Sequence, residues 1–202
     1  MYYSDPFIDD YKSEEVHYYS YYSFENMFSD EEIEYIKQWG EHFPAMSGEV
    51  GGDEDLSVNE DIRVSRISWI ALEEGTKWIF DRLSECAIIA NKEMMWNFDL
   101  SGFGDEIQYT EYFGENNGHY SWHGDIGPNV PHRKLSIVVQ LSDPEDYEGG
   151  ELELSAGSYL VDGPNTKGTV IVFPSFVLHR VLPLTSGERR SLVSWVSGPR
   201  LK

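Results

Sequence analysis

Two short stretches of this chain carry residue types suited to a single metal ion. The first is Trp122-His123-Gly124-Asp125. Side chains alternate along a strand, so a His-x-Asp at a strand end turns both donors to one face. The second is Phe173-Pro174-Ser175-Phe176-Val177-Leu178-His179-Arg180, in which His179 lies 56 residues beyond His123. Two imidazoles and one carboxylate form a facial triad, which suits Fe(II) and leaves three octahedral positions open. Those positions can take a bidentate oxo-acid and O2. A closed zinc site would need a fourth His or Cys. The chain has one cysteine, Cys86, and its surroundings (LSECAIIANK) read as a helix remote from both stretches. Ten residues after His179 comes Arg189, just past the turn Thr185-Ser186-Gly187-Glu188. A guanidinium there can hold the distal carboxylate of 2-oxoglutarate through paired hydrogen bonds. Arg190 has the opposite strand parity and should face away.

The elements that position these residues follow from periodicity. After Asn97 the chain reads as short strands separated by turn signals. They are expected at residues 106–113, 119–123, 135–141, 151–155, 158–160, 168–173, 178–184 and 189–196. The turns between them are Gly-Glu-Asn-Asn-Gly, Ser-Asp-Pro, Asp-Gly-Pro-Asn and Thr-Ser-Gly-Glu. About eight strands at this spacing imply a jelly roll, or double-stranded β-helix. Four strands separate His123 from His179, which returns the second ligand beside the first. Gly149-Gly150 reads as a tight turn before a strand. Upstream, 16–24 is rich in strand formers. Ser29-Asp30-Glu31-Glu32 reads as an N-cap with acids in the first turn of a helix continuing through Ile33, Ile36 and Trp39. A strand is expected at 63–70. A helix of about twenty residues should follow from Glu73 to near Asn91, with Trp78, Ile79, Leu83, Ala87 and Ile88 on its apolar face. The fold class is α+β: one domain over 1–202, with 1–97 as support and 98–200 as the jelly-roll core.

Composition narrows the function. The chain has 202 residues, 40% of them apolar, enough for one buried core. No segment is apolar for the length a membrane span needs. The opening MYYSDPFIDDYKSEE is too acidic for a secretory signal. A lone thiol makes no internal disulfide, which fits a reducing, cytoplasmic compartment. The net charge is −21, and residues 1–62 hold 17 Asp/Glu against two Lys, a net −15. Such a field repels phosphate backbones, disfavours nucleic acid and attracts cationic segments. The acidic loop 47–61 is either a substrate lid or a solvated loop.

From residue 106 to 199 the order of motifs resembles the prolyl 4-hydroxylase-like branch of the 2-oxoglutarate/Fe(II) oxygenases. The resemblance rests on Ile107-Gln108-Tyr109-Thr110-Glu111-Tyr112, Trp122-His123-Gly124-Asp125 and Tyr147-Glu148-Gly149-Gly150-Glu151-Leu152. It continues in Lys167-Gly168-Thr169-Val170-Ile171-Val172-Phe173-Pro174-Ser175, His179-Arg180-Val181-Leu182-Pro183 and Gly187-Glu188-Arg189-Arg190-Ser191-Leu192-Val193-Ser194-Trp195. It implies His123, Asp125 and His179 as iron ligands and Arg189 as the anchor of the 2-oxoglutarate C5 carboxylate. It implies Tyr112 as a helper of that anchor, with Tyr109 as the alternative, and Trp195 as an aromatic residue near the iron. Gln108 and Gln140 are candidates for hydrogen bonds to the cosubstrate or for lip and core positions. His119 shares the parity of His123 and either lines the cleft or is solvated. His17, His42 and His132 receive no role.

The resemblance further implies Fe(II), 2-oxoglutarate and O2, with ascorbate as an admissible reductant, and release of succinate and CO2. Its leading substrate is a C–H bond of a peptidyl proline, so the expected partner is a peptide or protein segment. Two alternatives remain open at this stage. One is an oxygenase of small molecules or free amino acids on the same scaffold. The other is a non-catalytic jelly roll that keeps a metal, against which the complete triad and Arg189 both argue.

Overall fold

The protein's structure is a computed structural model that describes residues 21–48, 59–157 and 159–200. Chain order begins with β1 (Tyr22–Phe24), α1 (Asp30–His42), β2 (Met46–Ser47), β3 (Arg63–Val64), β4 (Arg66–Ile70) and α2 (Lys77–Glu93). It continues with β5 (Gly102–Phe103), β6 (Ile107–Phe113), β7 (His119–His123), β8 (Arg133–Gln140), β9 (Tyr147–Gly149) and β10 (Leu152–Ala156). The last elements are β11 (Tyr159–Asp162), β12 (Val170–Pro174), β13 (His179–Val181) and β14 (Leu184–Ser197).

These strands make two antiparallel sheets. The larger runs β1-β12-β8-β14-β6-β4-β2, with β5 and β9 also pairing to β14; the smaller runs β11-β10-β13-β7-β3. Four strands of each form the jelly roll: β6, β14, β8 and β12 face β7, β13, β10 and β11. Period-two alternation sorts the large sheet's side chains. Ile107, Tyr109, Leu135, Ile137, Val139, Leu192 and Val196 point outward into a core shared with Ile33 and Ile36 of α1 and Ile79, Phe80, Leu83 and Ala87 of α2. Val138, Ile171 and Phe173 point inward to meet Leu152, Leu154 and Val181 of the small sheet. Helix α1 begins at the N-cap expected at Ser29, and the structure adds a capping box: Glu32 N–H donates to Ser29 Oγ, and Ser29 N–H donates to a Glu32 carboxylate oxygen.

Several boundaries differ from the sequence reading, each for a local reason. Helix α2 starts at Lys77 rather than Glu73, because Thr76 Oγ1 accepts from Glu73 N–H and donates to Ala71 O in a preceding turn. Ile88 is exposed, while Phe80, Cys86 and Ala90 complete the buried face. The strand expected at 178–184 ends at Val181; Pro183 lacks an N–H, which breaks the ladder. The chain re-enters as β14 at Leu184, absorbing the expected 185–188 turn through a bulged pairing with β9. That pairing needs Gly149 at φ +78°, where a Cβ would sit 2.3 Å from Pro183 O. Strands β2, β5 and β9 were not expected. The strand expected at 63–70 is two strands, broken at Ser65: β3 pairs with β7 in the small sheet, and β4 pairs with β6 in the large one. Of the strand expected at 16–24, only Tyr22–Phe24 falls within the described residues, and it pairs with β12. Most of the 47–61 loop lies outside the described residues, as does His17.

Candidate active site

The two histidine ligands are brought together by register. β7 and β13 are antiparallel neighbours in which His123 stands directly opposite His179. Asp125, two residues past His123, is tied to the loop before β13 because its backbone N–H donates to Ser175 O at 2.8 Å. The three donor atoms lie within 4.8 Å of one another. His179 Nε2 is 3.5 Å from Asp125 Oδ2, and His123 Nε2 is 3.8 Å from Asp125 Oδ1. Cis donors around a metal with bonds of about 2.1 Å lie ~3 Å apart, so a modest inward movement completes the face.

The remaining polar atoms of the triad are committed in ways that suit a metal. His123 Nδ1 lies 2.8 Å from Ser121 O, and His179 Nδ1 lies 3.0 Å from Val177 O. An Nδ1–H donated to a backbone carbonyl leaves each Nε2 lone pair facing the others. Burial, and next the facing His179, push His123 well below the ordinary histidine range, so it is neutral at neutral pH. Burial alone would raise Asp125; His179, then His123 and the Ser136 hydroxyl, outweigh it and hold the carboxyl below its ordinary value. Ser136 Oγ donates to Asp125 Oδ2 at 2.6 Å and lies 3.1 Å from Ser175 Oγ. Tyr120 stacks on the His123 ring at 3.5 Å between centroids, and Phe173 packs edge-on to His179 at 4.8 Å. Two imidazoles and an ionised carboxylate, each oriented from behind, fit a divalent ion.

The triad opens into a cavity of about 680 Å3 between the sheets. Arg189, Ser191, Val193 and Trp195, the odd-numbered residues of β14, line it, as do Gln108 and Tyr112 of β6. Arg189 is 1% exposed; its guanidinium donates to Gln140 Oε1 at 2.9 Å and stands 5.7 Å from the Tyr112 ring centroid. Arg190, by contrast, faces outward among Glu41, Glu111 and Glu188. Tyr112 is therefore the tyrosine at the cavity, and Tyr109 belongs to the helix-facing core. Gln108 lines the cavity and donates to Thr110 Oγ1. Gln140 stands behind Arg189, outside the lining, with its amide donating to Pro164 O. The Trp195 indole N–H is buried and directed at the Asp125 carboxylate. His119 lies outside the cavity lining, its Nδ1 2.9 Å from Asn117 O.

Four residues at this site were not foreseen. Ser136 and Tyr120 hold ligands in place, and Arg63 and Arg133 line the cavity. Tyr120 has a sequence signal in retrospect, since it lies three residues before His123 on the same strand. The others become neighbours of the site only by sheet pairing.

A jelly roll holding an inward His-Asp-His set beside a buried arginine is an arrangement that suits a mononuclear non-haem iron site with an oxo-acid cosubstrate. Residues 107–197 match the model of the 2OG-Fe(II) oxygenase superfamily. Fe(II), 2-oxoglutarate and O2 are the cofactor and cosubstrates of that superfamily. A PKHD-type hydroxylase of Parvibaculum lavamentivorans is 50% identical over 64 residues, which cover 31% of this chain and 28% of the relative. The chain thus matches less than a third of that relative's length. Among solved structures, a Pseudomonas putida prolyl-4-hydroxylase superposes with TM-score 0.68 at 20% identity, covering 89% of this chain and 93% of the other. A prolyl hydroxylase in complex with a hypoxia inducible factor oxygen degradation domain peptide fragment, from Trichoplax adhaerens, gives TM-score 0.65 at 21% identity, covering 88% and 83%. These likenesses establish the fold. Among the described residues, no helix is long and apolar enough to cross a membrane.

Proposed function

We propose that the chain hydroxylates a C–H bond of a peptidyl proline, using Fe(II), 2-oxoglutarate and O2 and releasing succinate and CO2. The observation that carries the reading is Arg189, a guanidinium 1% exposed that opens onto the same cavity as the triad and has, among the described residues, only a neutral amide as a hydrogen-bond partner. A buried cation without a carboxylate is costly, and a dicarboxylic cosubstrate supplies the missing charge. His123, Asp125 and His179 hold the metal. Bound Fe(II) supplies the oxidation chemistry: one atom of O2 enters succinate and the other the substrate C–H bond.

The chain's own groups do the positioning. Tyr120 and Ser136 fix the orientation of two ligands. Gln140 aims Arg189, while Tyr112 walls it on one side. Trp195 and Val193 supply apolar walls to the cavity, the Trp195 N–H faces Asp125, and Gln108 lines the cavity with its amide. A peptide substrate is supported by the Trichoplax neighbour, which was solved with a peptide. The chain acts as one domain, 1–97 supporting the 98–200 core, and its lone buried thiol suits the cytoplasm. The test is incubation with a set of proline-containing peptides, reading succinate and a mass gain of one oxygen. Turnover of free amino acids with none of the peptides would overturn the peptide assignment.

A further inference from the structure

The chain as a whole is strongly acidic, yet the cavity has the opposite sign. Arg63, Arg133 and Arg189 line it, and among the described residues Asp125 is the one carboxylate in the lining. Arg133 is already paired with Asp105 at 2.9 Å and lies over the Trp195 ring at 3.7 Å. Arg189 is accounted for by the cosubstrate. Arg63 is left. It is 6% exposed, sits 4.6 Å above the Tyr120 ring centroid, and uses its Nε to donate to Ser65 Oγ at 2.7 Å. Its two terminal nitrogens have no hydrogen-bond or ion-pair partner among the described residues. Space has been left for it: a Cβ on Gly48 would come within 2.5 Å of Arg63 Nε.

We propose that Arg63 is the anion subsite for the substrate, which carries a carboxylate close to the carbon that is oxidised. The proposal rests on the oxygenase reading and narrows its substrate class. Charge balance leads to it. A metal dication, Arg63 and Arg189 face Asp125 and the 2-oxoglutarate dianion, which leaves one positive charge uncompensated. A buried guanidinium in that state gains from a carboxylate partner, and its planar fork favours one. The location is fixed by stacking: Arg63 lies over Tyr120, and Tyr120 lies over the ligand His123. The anion is thus held beside Tyr120, next to the ligand His123. The carboxylate comes either from an Asp or Glu next to the target residue of a peptide or from a free amino acid.

Binding is measured by calorimetry on the full chain with Mn(II) and 2-oxoglutarate. The probes are the blocked peptides Ala-Pro-Asp and Ala-Pro-Asn, and L-proline with L-prolinamide. One pair should show the carboxylate form bound about tenfold tighter or better than its amide, as a charge-assisted pair in a buried setting provides. Discrimination within the peptide pair assigns a side-chain carboxylate; discrimination within the proline pair assigns a small-molecule one. Arg63→Gln should erase the preference and leave the affinity for 2-oxoglutarate unchanged. Arg63→Met keeps an unbranched stem over Tyr120 and gives the same reading if the glutamine variant does not fold. A role confined to bracing Tyr120 would not distinguish acid from amide. Equal affinity for both forms in both pairs, including no measurable affinity, overturns the proposal, as does a preference that survives loss of the guanidinium. Failure of the oxygenase reading is seen separately, as no 2-oxoglutarate consumption by the Fe(II)-loaded protein with any substrate.

Discussion

Removing the Ser136 hydroxyl should weaken metal binding without touching a ligand. Asp125 is 9% exposed, so water cannot readily replace a lost partner, and Ser136 Oγ donates to its Oδ2 at 2.6 Å. A hydrogen bond to a charged group contributes about 1.5–3 kcal/mol, which at ~1.4 kcal/mol per decade is roughly a 10- to 100-fold change in dissociation constant. Loss of an outer partner of a metal ligand falls in the same range. The direction follows from the carboxylate's two tasks. The hydroxyl keeps Asp125 ionised and fixes its rotamer; in Ser136→Ala both the charge and the aim are less well defined. The assay is titration of the metal-free protein with Mn(II) or Co(II) at neutral pH, with circular dichroism to establish that the variant is folded. Ser194→Ala is the control: its hydroxyl is also buried in the large sheet but has no partner, so its removal should leave metal affinity unchanged and stability the same or slightly higher. A folded Ser136→Ala with wild-type affinity would refute the claim that this hydroxyl orients the ligand.

Other outcomes are expected from the same structure. His179→Ala should abolish stoichiometric Fe(II) binding; undiminished affinity in titration would remove His179 from the ligand set. Arg189→Ala should raise the 2-oxoglutarate requirement by about 30-fold or more, on the order of 2–5 kcal/mol for a buried pair broken on one side, while Arg190→Ala, which faces the outer carboxylates, should do far less in the same steady-state assay. Cys86 is fully buried and burial pushes its thiol up to about 11, so alkylation by iodoacetamide at pH 8 should be slow in the native protein and fast once urea unfolds it. Glu32 is held down at about 2 by its hydrogen bonds to Arg82, against 4.5 unperturbed. A depressed carboxylate stabilises the fold above its unfolded value, and that contribution is lost as pH falls from about 4.5 to about 2. Glu32→Gln should therefore be less stable than wild type at pH 7 in urea melts, with the gap closing near pH 2.

Much of this protein was decided by local patterns. His123 and Asp125 share a face because strand side chains alternate, and the same parity separates Arg189 from Arg190. The N-cap at Ser29 and the tight turn at Gly149 are local chemistry, so they too were legible. Where the resemblance left Tyr109 and Tyr112 open, and Gln108 and Gln140 stood between the cosubstrate and core or lip positions, the sheet geometry distinguished them: Tyr109 packs under the helices and Gln140 holds Arg189 from behind. Ser136 and Arg63 could not be read at all. Ser136 reaches Asp125 because β8 lies beside β12 and β14, a pairing made across long loops. Arg63 reaches the cavity because the chain changes sheets at Ser65, and no periodicity within Arg63–Ile70 marks that crossing. Strand identity depends on neighbours along the chain, whereas sheet membership depends on which distant edge is free to pair, and that is settled only when the two sheets close on one another.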